Sequence, residues 1–103
     1  MRYWIGVDCG GTSIKAGLYD ASGREIGTAR KNLAVISARP GWAERDPELV
    51  WQRACDVIRE LLSTTKIPAQ SIAGLGISAQ GKGICLLDKA GQPLGNIILS
   101  SDQ

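Results

Sequence analysis

The sequence predicts an α/β fold built on a mixed sheet, and three observations carry that expectation. The first thirty residues alternate like a meander of antiparallel strands, residues 47–63 repeat apolar side chains at helical spacing, and a second apolar strand begins at Ile72. One helix covers one face of such a sheet. Nothing after the apolar run Ile97–Leu99 covers the other, so residues 1–103 read as the incomplete N-terminal lobe of a longer protein.

Tyr3 to Val7 is a short apolar run with Asp8 at its end, and Cys9-Gly10-Gly11-Thr12 is too glycine-rich to continue it. From Ser13 the pattern alternates, with Ile14, Ala16 and Leu18 on one side and Ser13, Lys15, Gly17 and Tyr19 on the other. Asp20-Ala-Ser-Gly23 is a turn, and Arg24 to Arg30 alternates again through Ile26 and Thr28. Asn32 to Ala38 is extended and less regular, and Arg39 to Asp46 is a loop by its Pro40-Gly41 pair.

Asp46 before Pro47 starts the helix, an N-cap oxygen followed by a residue whose φ already suits the first turn. Val50, Ala54, Val57, Ile58, Leu61 and Leu62 form its apolar stripe, with Gln52, Arg53, Asp56 and Glu60 opposite, and the pattern ends near Ser63. Ile67-Pro68 closes the element, and Ile72 to Ser78 is the next strand. The last third echoes the first: Asp88 and Gly91 match Asp20 and Gly23, the same turn used twice.

Candidate chemistry gathers at the first turn. Two adjacent glycines let backbone approach a ligand closely. The N–H groups of Gly10 and Gly11, the hydroxyls of Thr12 and Ser13, and the Lys15 cation make a phosphate cradle. Asp8 would repel phosphate unless a divalent cation such as Mg²⁺ lay between them. The competing reading is an ordinary hairpin whose glycines serve only the turn. Two other patterns fail on context. Gly76 to Gly83 lacks the hydroxyl of a P-loop and no helix follows Lys82. Gly74-Leu-Gly-Ile-Ser-Ala79 precedes no helix, as a dinucleotide fingerprint must.

Composition narrows the classes. A net charge of +2 with twelve scattered basic residues argues against a nucleic-acid partner. No apolar stretch approaches the roughly 20 residues that span a bilayer, and the N-terminus lacks a secretory pattern, which points to the cytoplasm and to no membrane partner. Three cysteines without a close pair, and no histidine, argue for reduced thiols and against a zinc site. The sequence leaves a homo-oligomer open.

Four blocks resemble the FGGY carbohydrate kinases. They are Asp8 to Lys15, Pro40-Gly-Trp-Ala-Glu-Arg-Asp-Pro47, Gly74 to Gly83, and Leu94 to Asp102. The resemblance implies a ribonuclease H-like fold of the actin and sugar-kinase superfamily, with residues 1–103 forming the N-terminal part of the first kinase domain. It implies ATP and Mg²⁺ as cofactors: Gly10, Gly11, Thr12, Ser13 and Lys15 along the nucleotide phosphates, and Asp8 on the metal. Gln80, Lys82 and Asp102 would contact a small-molecule sugar. The Ser-Ala-Gln-Gly-Lys-Gly form of the third block is most similar to bacterial kinases of L-xylulose and 3-keto-L-gulonate. The general base, an Asp in this family, would lie beyond residue 103, so the fragment alone is expected to be inactive. Two other classes stay open, a non-catalytic nucleotide-binding module of actin- or chaperone-like fold and a purely structural fragment.

Overall fold

The computed structural model describes residues 1–79 and 85–99. Strands β1 (Tyr3–Cys9), β2 (Ser13–Asp20) and β3 (Glu25–Asn32) form the antiparallel meander. The chain then makes a two-residue strand β4 (Glu44–Arg45), helix α1 (Pro47–Thr65), strand β5 (Ile72–Ala79) and a last short strand β6 (Ile97–Ile98). The main sheet has the order β3-β2-β1-β5, and β5 runs parallel to β1, so the sheet is mixed as expected. β4 and β6 pair separately.

The alternation in β2 decides which face is buried. Ile14, Ala16 and Leu18 are fully buried with Ile5, Val7 and Ala29, and α1 lays Val57 and Leu61 on them. Burying a Val or Leu side chain stabilises by about 1.5–3 kcal/mol, so this single layer of contact is the main source of the lobe's cohesion. The opposite face carries Asp8, Lys15, Gly17 and Tyr19.

Three boundaries and the facing of one strand differ from the sequence expectation. β1 continues through Asp8 to Cys9, because the ladder partners Lys15 and Ser78 flank Asp8 on both sides. β5 likewise runs one residue further, to Ala79 beside Cys9. In β3 the register shifts between Leu18–Gly27 and Tyr19–Glu25. Ile26 is the extra residue of that bulge and is 38% exposed, so Gly27 and Ala29, rather than Ile26 and Thr28, turn toward the helix. The helix extends two residues past Ser63. Thr65 donates its hydroxyl to the Leu61 carbonyl at 2.7 Å, and Lys66 then ends the helix in a left-handed conformation usually taken by glycine.

The repeated turn is real at atomic level. Asp20 Oδ1 accepts from the N–H groups of Ser22 and Arg24 at 2.9 and 3.0 Å, and Asp88 Oδ1 accepts from those of Ala90 and Gln92 at 2.8 and 2.9 Å. Gly23 and Gly91 both have positive φ, 85° and 82°.

Candidate functional site

The β1–β2 connection is a tight turn whose carbonyls are all engaged. Gly10 N–H donates to the Ser13 carbonyl at 2.9 Å, and the N–H of buried Leu33 donates to Thr12 O at 2.9 Å. Arg45 reaches the turn from the helix side, donating through one terminal nitrogen to Gly10 O at 3.1 Å and through the other to Gly11 O. The loop expected over residues 39–46 is therefore partly a strand, and its Arg45 is a core residue at 3% exposure. Sequence reasoning passed over Arg45, since an arginine between two acids in a Pro-Gly loop looks like a surface charge.

That loop has local supports of its own. Gly41 takes φ 84°, the Arg39 guanidinium stacks 5.0 Å from the Trp42 ring, and Glu44 exchanges backbone hydrogen bonds with Ile36. Asp46 then caps α1, its carboxylate accepting from Glu48 N–H at 3.0 Å, with Pro47 opening the helix. Arg45 thus lies between a strand pair and a helix cap.

On the sheet's other face the candidate residues fall into a row. Ser78, Asp8, Lys15 and Arg30 are successive register partners across β5, β1, β2 and β3. Asp8, Lys15 and Ser78, with Gly6, Gly17, Tyr19 and Gly76, line an open hollow of about 470 Å³. Asp8 and Lys15 are exposed, and neither closes an ion pair among the described residues. Arg30 Nε donates to Ser13 Oγ at 3.1 Å, which brings a second cation to the turn. The alternation expected for β3 would have turned Arg30 toward the helix, and only the shifted pairing with β2 puts it on this face.

The structure therefore brings together Asp8, Gly10, Gly11, Thr12, Ser13 and Lys15. β5 delivers Ala79 alongside Cys9, at the turn's end of the sheet. Gln80, Lys82 and Asp102 lie outside the described residues. Behind the turn, Cys9, Arg45, Val50, Ala79, Cys85, Ile97 and Leu99 surround a smaller hollow of about 180 Å³. Burial pushes the Cys9 thiol above its ordinary pKa, and the nearby Arg45 charge partly opposes this.

The donor set can be tested against the groups expected here. Among the described residues the N–H groups of Gly11 and Thr12 have no hydrogen-bond acceptor, and both residues are exposed beside Lys15 and Arg30, which suits a phosphate. A lone exposed carboxylate suits Mg²⁺, which keeps several waters and takes one or two carboxylates plus substrate phosphate oxygens. It does not suit a metal that needs a full protein cage, and the described residues contain no cluster of three ligating side chains.

Known proteins carry the same arrangement of sequence. The chain is 56% identical over 102 residues to L-xylulose/3-keto-L-gulonate kinase of Escherichia coli K12, covering 99% of this chain and 20% of that one. It is 50% identical over 103 residues to a probable L-xylulose kinase of Pasteurella multocida, covering 100% of this chain and 21% of that one. Among solved structures, xylulose kinase from Rhodospirillum rubrum superposes with a TM-score of 0.90 at 32% identity, covering 99% of this chain and 21% of the other. The chain spans about a fifth of the length of these relatives. The model of the FGGY family of carbohydrate kinases, N-terminal domain, matches residues 3–103, which takes in the first turn, the Trp42 loop and the final strand. A match of that extent means that the chain belongs to the FGGY family of carbohydrate kinases.

Proposed function

We propose that the full-length protein transfers the γ-phosphoryl group of ATP to a hydroxyl of a ketose, L-xylulose or a related keto sugar, and that residues 1–103 form the N-terminal part of its first kinase domain. The observation that carries this reading is the meeting of the Gly10–Ser13 turn with Asp8 and Lys15 at one end of the open sheet face. The names of the two most similar relatives given above support the sugar class.

In this reading the Gly11 and Thr12 N–H groups, the Thr12 and Ser13 hydroxyls and Lys15 bind the nucleotide phosphates. The Gly10 N–H expected beside them is taken by the Ser13 carbonyl, so Gly10 closes the turn instead of donating to phosphate. Lys15 supplies a point charge, without the two-pronged hydrogen bonding of an arginine. Asp8 would hold Mg²⁺, and the ion when bound would neutralise charge that builds on the transferring group. Gln80, Lys82 and Asp102 contact sugar hydroxyls. The proton acceptor for the sugar hydroxyl is an Asp outside these residues. Catalysis then rests on holding donor and acceptor in line, which can lower a barrier by roughly 7–11 kcal/mol when both substrates are oriented.

The test is ATP-dependent phosphorylation of L-xylulose by the full-length protein, with D-xylulose and glycerol as competing acceptors and residues 1–103 alone as a control. The expected result is turnover of L-xylulose or a keto-sugar relative by the full-length protein and none by residues 1–103. Nucleotide binding without phosphorylation of any sugar would instead mark a non-catalytic nucleotide module.

A further inference from the structure

We infer that Arg45 is the positioning residue of the phosphate turn, aiming the Gly11 and Thr12 N–H groups at the ligand by holding the Gly10 and Gly11 carbonyls from behind. The inference rests on the reading of that turn as the nucleotide-phosphate site.

The geometry follows from the planar trans peptide, in which C=O and the next residue's N–H point in opposite directions. The described peptide bonds are all trans. Arg45 draws the Gly10 carbonyl toward the helix side of the sheet, so the Gly11 N–H faces the other way. It does the same to the Gly11 carbonyl, which turns out the Thr12 N–H. Leu33 secures the third carbonyl, at Thr12. Two adjacent glycines are free to adopt many backbone conformations, so without this brace the two donors would sample other directions.

Two further observations argue that Arg45 does more than fill space. Among the described residues its Nε is buried without a hydrogen-bond partner, a group that native structures seldom leave unmet. No carboxylate pairs with it among the described residues, although a buried guanidinium ordinarily has a counter-charge. A phosphate seated on the outward N–H groups would place negative charge across the turn from that cation. The guanidinium fork suits this task because it can satisfy two carbonyls at a fixed spacing, which an ammonium cannot.

The experiment compares Arg45→Met, Arg45→Lys and Lys15→Met in the full-length protein, measuring dissociation constants for ATP, ADP, adenosine and L-xylulose by calorimetry. Arg45→Met is expected to weaken ATP and ADP by roughly tenfold to a hundredfold, the range for hydrogen bonds to a charged group. Adenosine and sugar affinities should be unchanged, and Arg45→Lys should fall between parent and Arg45→Met. If Lys15→Met weakens ATP while both Arg45 variants bind it as the parent does, the inference is overturned and the phosphate reading stands. If none of the three changes ATP affinity, the phosphate reading fails and takes the inference with it. Should Arg45→Met not fold, Arg45→Lys decides alone: loss confined to ATP and ADP supports the brace. Unchanged ATP affinity, or equal loss for all four ligands, overturns it.

Discussion

The two faces of the β3-β2-β1-β5 sheet are made from the same strands and serve opposite ends. One face is a dry layer in which Ile14, Ala16 and Leu18 meet Val57 and Leu61 of the helix. The other is open, lined by glycines, and bears the charged row Asp8, Lys15, Arg30. Because side chains alternate along a strand, neighbouring residues belong to different faces, so apolar Val7 is buried while the next residue, Asp8, is exposed on the other side. Stability and chemistry are thereby separable one residue at a time. Arg45 is the exception, since it lies on the dry side and touches the turn that ends the wet one.

Substitutions can break this separation or sharpen it. The largest effect is expected at Leu61, fully buried between helix and sheet. Leu61→Ala should destabilise by about 2–5 kcal/mol in urea unfolding while leaving the ATP dissociation constant of the folded protein unchanged. A parallel loss of nucleotide affinity would mean that the two faces are coupled. Asp8→Asn on the open face should do the reverse. We expect kcat to fall by roughly a hundredfold or more, the scale for removing one preorganised electrostatic group, with little change in the midpoint of unfolding. Equal kcat at saturating Mg²⁺ would remove Asp8 from the metal site.

A finer test uses two glycines, one on each face. A Cβ on Gly27 would stand 2.6 Å from Thr65 Cγ2, and a Cβ on Gly17 would stand 2.6 Å from Tyr19 Oη. The nearest distances are equal but the neighbours are not. Thr65 is pinned by its bond to Leu61 O, so Gly27→Ala must shift helix against sheet and should cost about 1–3 kcal/mol. Tyr19 lies over the open face and is tethered by a 3.2 Å hydrogen bond from its hydroxyl to the exposed Glu25 carboxylate. It can move more cheaply, so Gly17→Ala should cost less. Equal losses at the two sites would show that the open face is as rigid as the covered one.

The smallest effect belongs to neither face. Asp20, in the β2–β3 turn, has its carboxyl held below its ordinary pKa, first by the Ser22 hydroxyl and then by the Arg24 N–H. A depressed folded-state pKa gives stability that is present above the unfolded value of about 3.9 and is lost as pH falls through the folded one. Asp20→Ala should therefore flatten the acid limb of a stability–pH curve below about pH 4 and change little on the open face. An unaltered acid limb would show that the turn's hydrogen bonds make no net contribution.

What the sequence determined by itself was local. The alternation of Ile14, Ala16 and Leu18, the Asp46–Pro47 helix start and the Asp20 and Asp88 turns each depend on neighbours a few residues away. Their physics acts within the window in which it can be read. The clustering at Gly10–Lys15 was legible for the same reason, and the family blocks extended it across the chain. Tertiary structure decided the rest. The bulge at Ile26 exchanged the faces of β3 because pairing with β2, rather than the strand's own apolar pattern, sets which side meets the helix. Arg45 reads as a surface charge until it meets Gly10 and Gly11, 35 and 34 residues back in the chain. Arg30 is one more scattered cation until it reaches Ser13, 17 residues away. Such contacts leave no periodicity or spacing in the sequence, since a hydrogen bond between distant residues forms only after hydrophobic packing has set the backbones that carry them.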